Sequence, residues 1–235
     1  MAAPIVIEPR FRGPPESGNG GYVCGRFAAE LGVPVAVRLL APPPLATSLA
    51  LREDPQRNCW QLLDGECAVA EARPHEVTVV PPAPPSRAEA EAASRHCSGL
   101  VHHPLPTCFV CGPQRAEGDG LRIFAGPVDG RPMVAAPWTP DVSLAGRDGF
   151  VRPEFLWAAL DCPGFFAAPL GGALALLGEL AASIERPLPA GEPCVVTGWA
   201  LGSEGRKHRT GTAIFGADGG LVARAEATWV ALKGP

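Results

Sequence analysis

The same succession of local patterns occurs twice in this chain, and that repetition restricts the fold more than any composition figure. In the first half the glycine-rich SGNGG precedes YVCGRFAAEL (22–31), where Val23, Phe27 and Leu31 stand four apart. That spacing puts them on one face and predicts a helix. PVAVRLLAPPPLATSLALRED (34–54), CWQLL, the turn Asp64-Gly65 and ECAVAEARPHEV follow. Their Val, Leu and Ala runs, broken by Pro and Asp-Gly, are strand and hairpin signals. The second half repeats the order. PEFLWAALDCPGFFA (153–167) predicts a helix with Pro153 in its first turn, where proline is tolerated. ALLGELAASIERPLPAGEPCVVTGWALG, SEGRKHRTGTAIF, the turn Asp218-Gly219 and GLVARAEATWVAL complete it. DGECAVAEA (64–72) and DGGLVARAEA (218–227) show the correspondence at its clearest. Two such units point to duplication of a small domain, since a solenoid needs three or more shorter repeats. Between them lies a Pro/Ala-rich stretch that opens with PPAPP, carries the short charged helix candidate SRAEAEAASR and ends at HHPLP. The expected organisation is an N-terminal half over 1–80, a linker over 81–106 and a C-terminal half over 107–235.

Composition excludes several classes. At 235 residues, 46% hydrophobic and 19% charged, with net charge −4, the chain carries too much apolar content for general disorder. It also lacks the basic excess of a nucleic-acid binder. The 28 glycines and 28 prolines show no period of three, so they mark turns rather than a collagen helix. The longest charge-free apolar stretch, Cys162 to Gly178, contains Pro163, Pro169 and four glycines and does not read as a membrane span. MAAPIVIEPRFRG has no basic start followed by an apolar run, so no secretory signal is read. The eight dispersed cysteines are accordingly expected to be reduced thiols in a cytoplasmic protein.

An apolar helix followed by a strand meander is an α+β unit, in which the sheet buries one face under the helix. This order resembles the hotdog fold, and two copies in one chain resemble a double hotdog, with two curved antiparallel sheets each wrapped on a central helix. Hotdog acyl-CoA thioesterases of the phenylacetate-pathway type carry His-Gly-Gly at the start of that helix. An acid follows nine positions after the His, in a Leu-Ala-Asp context. The resemblance implies that glycine N–H groups polarise a thioester oxygen, helped by the helix dipole. It also implies that the acid attacks or activates water. Here Asn19-Gly20-Gly21 resembles the first element, but Ala28 stands nine positions later. Leu160-Asp161 resembles the second, but Arg152 and Pro153 stand at the corresponding helix start. Each half lacks what the other keeps. One composite site, built from Asn19, Gly20, Gly21 and Asp161, is the expectation. The plainer alternatives are a turn at Asn-Gly-Gly and an Asp161 that bonds backbone freed near Pro163.

Cys108-Phe109-Val110-Cys111, with Cys97, His102 and His103 upstream, offers zinc-ligand spacing for Cys97, His103, Cys108 and Cys111. A second CxxC is missing. CFVCGPQRAEGDGLRIF also resembles the metal-free lead-in to the first strand of many hotdog thioesterases, so packing is preferred to zinc and no cofactor is expected. In the basic run Gly205-Arg206-Lys207-His208-Arg209, the cations Arg206, Lys207 and Arg209 could capture coenzyme A phosphates or simply solvate a hairpin edge. Trp157 could line an acyl pocket. The leading functional expectation is an acyl-CoA thioesterase-like hydrolase acting on an acyl-CoA-like small molecule. It would be a monomeric pseudo-dimer or a homodimer, with no nucleic-acid or membrane partner. The alternative is a catalytically silent acyl- or ligand-binding hotdog protein, and a hotdog hydratase ranks below both.

Overall fold

A computed structural model describes residues 4–232. Its strands are β1 (Ile5–Val6), β2 (Val35–Leu39), β3 (Ser48–Asp54), β4 (Cys59–Asp64), β5 (Cys67–Pro74), β6 (Gly126–Pro127), β7 (Val134–Trp138), β8 (Ala175–Ile184), β9 (Cys194–Glu204), β10 (Lys207–Phe215) and β11 (Leu221–Ala231). The helices are α1 (Gly20–Leu31), α2 (Arg87–Ser94), α3 (Pro153–Ala159) and α4 (Cys162–Ala167). The architecture is α+β, and all strand pairings are antiparallel.

Instead of the two expected sheets, the described residues form one, in the order β1-β3-β4-β5-β2-β8-β11-β10-β9-β7-β6. The strands of each half stay together and are joined through β2 and β8, where Ala36, Val37 and Arg38 pair with Ala181, Leu180 and Glu179. Had the halves stayed apart, both strands would present unpaired N–H and C=O groups along an edge. Pairing them with each other removes two edges at once. The expected Asp-Gly turns join β4 to β5 and β10 to β11, with Gly65 and Gly219 at φ +56° and +74°, where only glycine is free of strain.

Alternation along β11 separates the faces of the sheet. Ala225, Ala227 and Trp229 are buried, and the Trp229 ring meets Phe165 of α4 at 5.6 Å, so this face lies under the helices. Arg224, Glu226 and Thr228 point the other way. The segment 81–106 is more than a spacer. Its helix α2 starts with a reciprocal Ser86–Glu89 capping box and buries Ala90 and Ala93 against Ala135, Val195, Trp199 and Phe215.

The expected helix over 153–167 is two helices. Pro163 has no N–H, and its ring clashes with the carbonyl four residues back, so a continuous helix cannot pass it. The chain breaks at Leu160–Asp161, and the freed Leu160 carbonyl accepts a 2.8 Å hydrogen bond from Thr212 Oγ1 beneath it. Pro163 then serves in the first turn of α4. The break turns Asp161 out of the helical ladder and aims it at α1.

Helices α1 and α3 pack at glycine distance. Gly21 and Gly25, four apart, share one face of α1. A Cβ at Gly25 would stand 2.8 Å from the Glu154 Cα and 2.7 Å from the Trp157 Cβ. Beside this contact Phe11, Tyr22, Phe109 and Phe155 form an aromatic cluster, with Phe11 stacked on Tyr22 at 4.2 Å. Each buried ring contributes roughly 2 kcal/mol or more. The cluster ties the N-terminal segment, α1, the 108–123 lead-in and α3 into one rigid seat.

Candidate active site

Asn19 is the N-cap of α1. Its Oδ1 accepts from the Tyr22 N–H at 2.9 Å, which satisfies one of the free donors of the first turn. Asparagine, unlike serine or aspartate, has an amide left to donate. Its Nδ2 donates to Asp161 Oδ2 at 2.8 Å, and the Gly21 N–H donates to the same oxygen at 3.0 Å. A residue from each half therefore meets across the helix pair, 142 positions apart in sequence. The contact requires glycine at 21, because a Cβ there would lie 2.6 Å from the Asp161 Cβ and 2.7 Å from the Trp157 carbonyl oxygen.

Asp161 and Asn19 are each 2% exposed. Both donors go to Oδ2, so Asp161 Oδ1 is buried without a hydrogen-bond partner. Burial pushes the carboxyl up to about 7, against the opposing pull of the Gly21 N–H and the Asn19 amide. The helix start supplies oriented donors and the break after α3 supplies a carboxylate with one free oxygen. Chemically, that pairing can hold a polar group and accept a proton.

A second cluster adjoins it. The Cys108 and Cys162 sulfurs lie 3.8 Å apart, and the sulfurs of Cys108, Cys111 and Cys162 all lie within 4.8 Å of one another. Asn19 Nδ2 also approaches Cys108 Sγ at 3.8 Å, and His103 Nε2 stands 3.2 Å from Cys111 Sγ. Hydrogen bonds from the Cys111 and Cys162 thiols hold Cys108 well below the usual thiol range, and the same sharing pushes its two partners well above it. Of the zinc-ligand set read from sequence, Cys108 and Cys111 come together, His103 touches Cys111 alone, and Cys97 does not join the group of sulfurs. Cys97 is at the far end of the α2 segment, where its backbone N–H closes a turn on Ser94. Cys162 takes its place. The signal for it was its position next to Asp161, since whatever aims Asp161 at α1 also carries Cys162 into the same region.

Other expected residues lie apart from the carboxylate. Trp157 is 5% exposed and packs against Gly25, so it fills the seam between α1 and α3. Arg206 donates to the Ala231 carbonyl, and Arg209 sits 4.0 Å from Glu226. Lys207 pairs with Val230 and Arg209 with Thr228, and alternation sends both side chains to the face without α3 and α4. The structure therefore does not bring these cations to Asp161. Two surface clefts also lie elsewhere, one lined by Pro84–Arg87 with Phe215–Ala217, the other by Arg10, Arg122, Trp138 and Asp141.

Neither a family model nor a curated protein sequence matches the chain. Among solved structures, the tesB protein of Mycobacterium avium subs paratuberculosis superposes with a TM-score of 0.59 at 13% identity, over 92% of this chain and 88% of that one. This chain has the double-hotdog fold. One part of the double hotdog also aligns with a thioesterase superfamily protein, RHA08564, at 25% identity and a TM-score of 0.43, covering 47% of this chain and 54% of that one. A phenylacetic acid degradation-related protein of Ralstonia eutropha JMP134 aligns at 23% identity and a TM-score of 0.42, over 47% of this chain and 85% of that one. No helix among the described residues of the double hotdog is long and apolar enough to cross a membrane.

Proposed function

We propose that this double hotdog is an acyl-CoA thioesterase-like hydrolase with one composite site, its donors from α1 and its acid from the break between α3 and α4. Each half is then a hotdog unit curved around its helix, α1 for residues 1–80 and α3–α4 for 107–235. The fusion replaces the usual pair of chains. The observation that supports the reading is the asymmetric carboxylate. Asn19 and Gly21 fix Asp161 through Oδ2 and leave Oδ1 free.

In this reading Oδ1 takes a proton from a water molecule as its oxygen attacks the thioester carbonyl carbon. The Gly20 N–H and the positive end of the α1 dipole stabilise the oxyanion, since the Gly21 N–H is committed to Asp161 Oδ2. Collapse of the tetrahedral adduct breaks the C–S bond, and the coenzyme A sulfur leaves with the proton, giving a carboxylic acid and a thiol. With Asp161 2% exposed, substrate entry requires local opening of the cover over the site. The outward-facing Lys207 and Arg209 take no part.

That same burial favours a second reading, a ligand-binding double hotdog without turnover. A panel of short, medium and aromatic acyl-CoAs separates the two, with free thiol release and thermal shift followed in parallel. Thiol release that scales with protein concentration is the expected result. A thermal shift without release would leave only the binding role.

A further inference from the structure

The thiols beside the site have a geometry of their own. Four-coordinate zinc with Zn–S of about 2.3 Å places its sulfurs about 3.8 Å apart. Cys108 and Cys162 already stand at 3.8 Å, and Cys111 is within 4.8 Å of both. His103 Nε2 stands 3.2 Å from Cys111 Sγ but outside the mutual reach of the three sulfurs, so its ring must turn toward them to complete a set of four. Packing alone accounts poorly for the hydrogen bonding. Asn19 Nδ2 donates to the Cys108 sulfur at 3.8 Å, and that sulfur shares a second contact with the Cys162 sulfur at 3.8 Å. A buried sulfur that meets two other sulfurs and an amide donor has the surroundings of a metal-binding cysteine. The Cys108-Phe-Val-Cys111 turn closes with the Gly112 N–H on the Cys108 carbonyl, and a Cβ at Gly112 would sit 2.5 Å from that oxygen.

From this arrangement we infer a zinc site held by Cys108, Cys111 and Cys162, with His103 Nε2 as the fourth ligand. Three cysteines and one histidine make a closed, structural set with no open position for water. The site joins the lead-in of the C-terminal half to the start of α4, and so stiffens the chain on both sides of Asp161. On loading, the thiols lose their protons to solvent. The His103 ring proton moves from Nε2 to Nδ1, which breaks the present 3.0 Å contact from the Leu105 N–H to Nδ1.

The test is metal content of the full chain, purified without chelator, with cobalt substitution as a second readout. About one zinc per chain is expected, with Cys108→Ser and Cys162→Ser each falling below about a tenth of that and the exposed-thiol control Cys67→Ala unchanged. Because the serine variants risk misfolding, the wild-type chain is also stripped and reloaded with Co2+, and tetrahedral d–d bands with thiolate-to-cobalt charge transfer are expected. A wild-type chain without zinc that gives no such bands overturns the site. If all eight thiols of that metal-free chain then titrate in denaturant, the cluster is packing; if two fewer titrate, it is a disulfide.

Discussion

Asp161→Asn is expected to lower kcat for thioester hydrolysis by about 10³-fold, the loss typical of removing a positioned general base. The same variant is expected to melt at a higher temperature than wild type. Asparagine keeps the shape of the side chain and an oxygen to accept from Asn19 Nδ2 and the Gly21 N–H. It removes a buried charge whose desolvation raises the carboxyl to about 7, and leaves a neutral amide nitrogen where the partnerless Oδ1 stood, which costs less than the buried charge. Opposite signs for activity and stability distinguish a functional acid from a structural one. If Asp161 served only to hold backbone near Pro163, the substitution would leave turnover untouched. Steady-state thiol release and a melting curve on one preparation measure both effects.

Gly21→Ala is expected to disrupt the contact between α1 and α3 on which the site is built. The added carbon would sit 2.6 Å from the Asp161 Cβ and 2.7 Å from the Trp157 carbonyl, and the second of these is backbone that cannot swing aside. Either α1 and α3 separate or the helix start shifts, at a cost of about 1–3 kcal/mol of overpacking. Separation also lengthens the Gly21 N–H contact to Asp161, so activity falls beyond what stability alone explains. Gly20→Ala is the internal control. The nearest atoms to its Cβ would belong to the side chains of Leu177 and Leu39 rather than to backbone, and side-chain ends yield more readily. Denaturant melts of the two variants should rank Gly21→Ala well below Gly20→Ala, and equal melts would mean that the helix contact is looser than described.

Several of these features were legible in the sequence, and for physical reasons. Turn chemistry is local, so Asp64-Gly65 and Asp218-Gly219 marked their hairpins. Period-four apolar spacing marked α1, with Asn19 at its start. The union of the two sheets was not legible, because strands β2 and β8 carry no signal that says which edge each will meet. Pro163 was visible, yet the exact break depends on Thr212 arriving underneath to satisfy the Leu160 carbonyl. Nearness of Asn19 to Asp161 follows from the complementary losses of the two halves once their helices lie side by side. The role of that contact does not follow from it. Cys162 escaped the sequence reading because metal spacing was sought upstream of the CxxC, whereas the third sulfur comes from the neighbouring helix start. The facing of the basic run was not legible for a related reason. Charge density is read along the chain, but the face to which Lys207 and Arg209 project depends on strand register.

A double-mutant cycle on kcat/KM with Asn19→Ser and Asp161→Asn tests the account most directly. Serine keeps the cap on the Tyr22 N–H but removes the amide that reaches Asp161. If the helix start and the acid act as one unit, the double variant will be no slower than Asp161→Asn alone, because the amide has no base left to position. Independent, multiplying losses from the two changes, or no loss from either, would contradict a site shared between the halves.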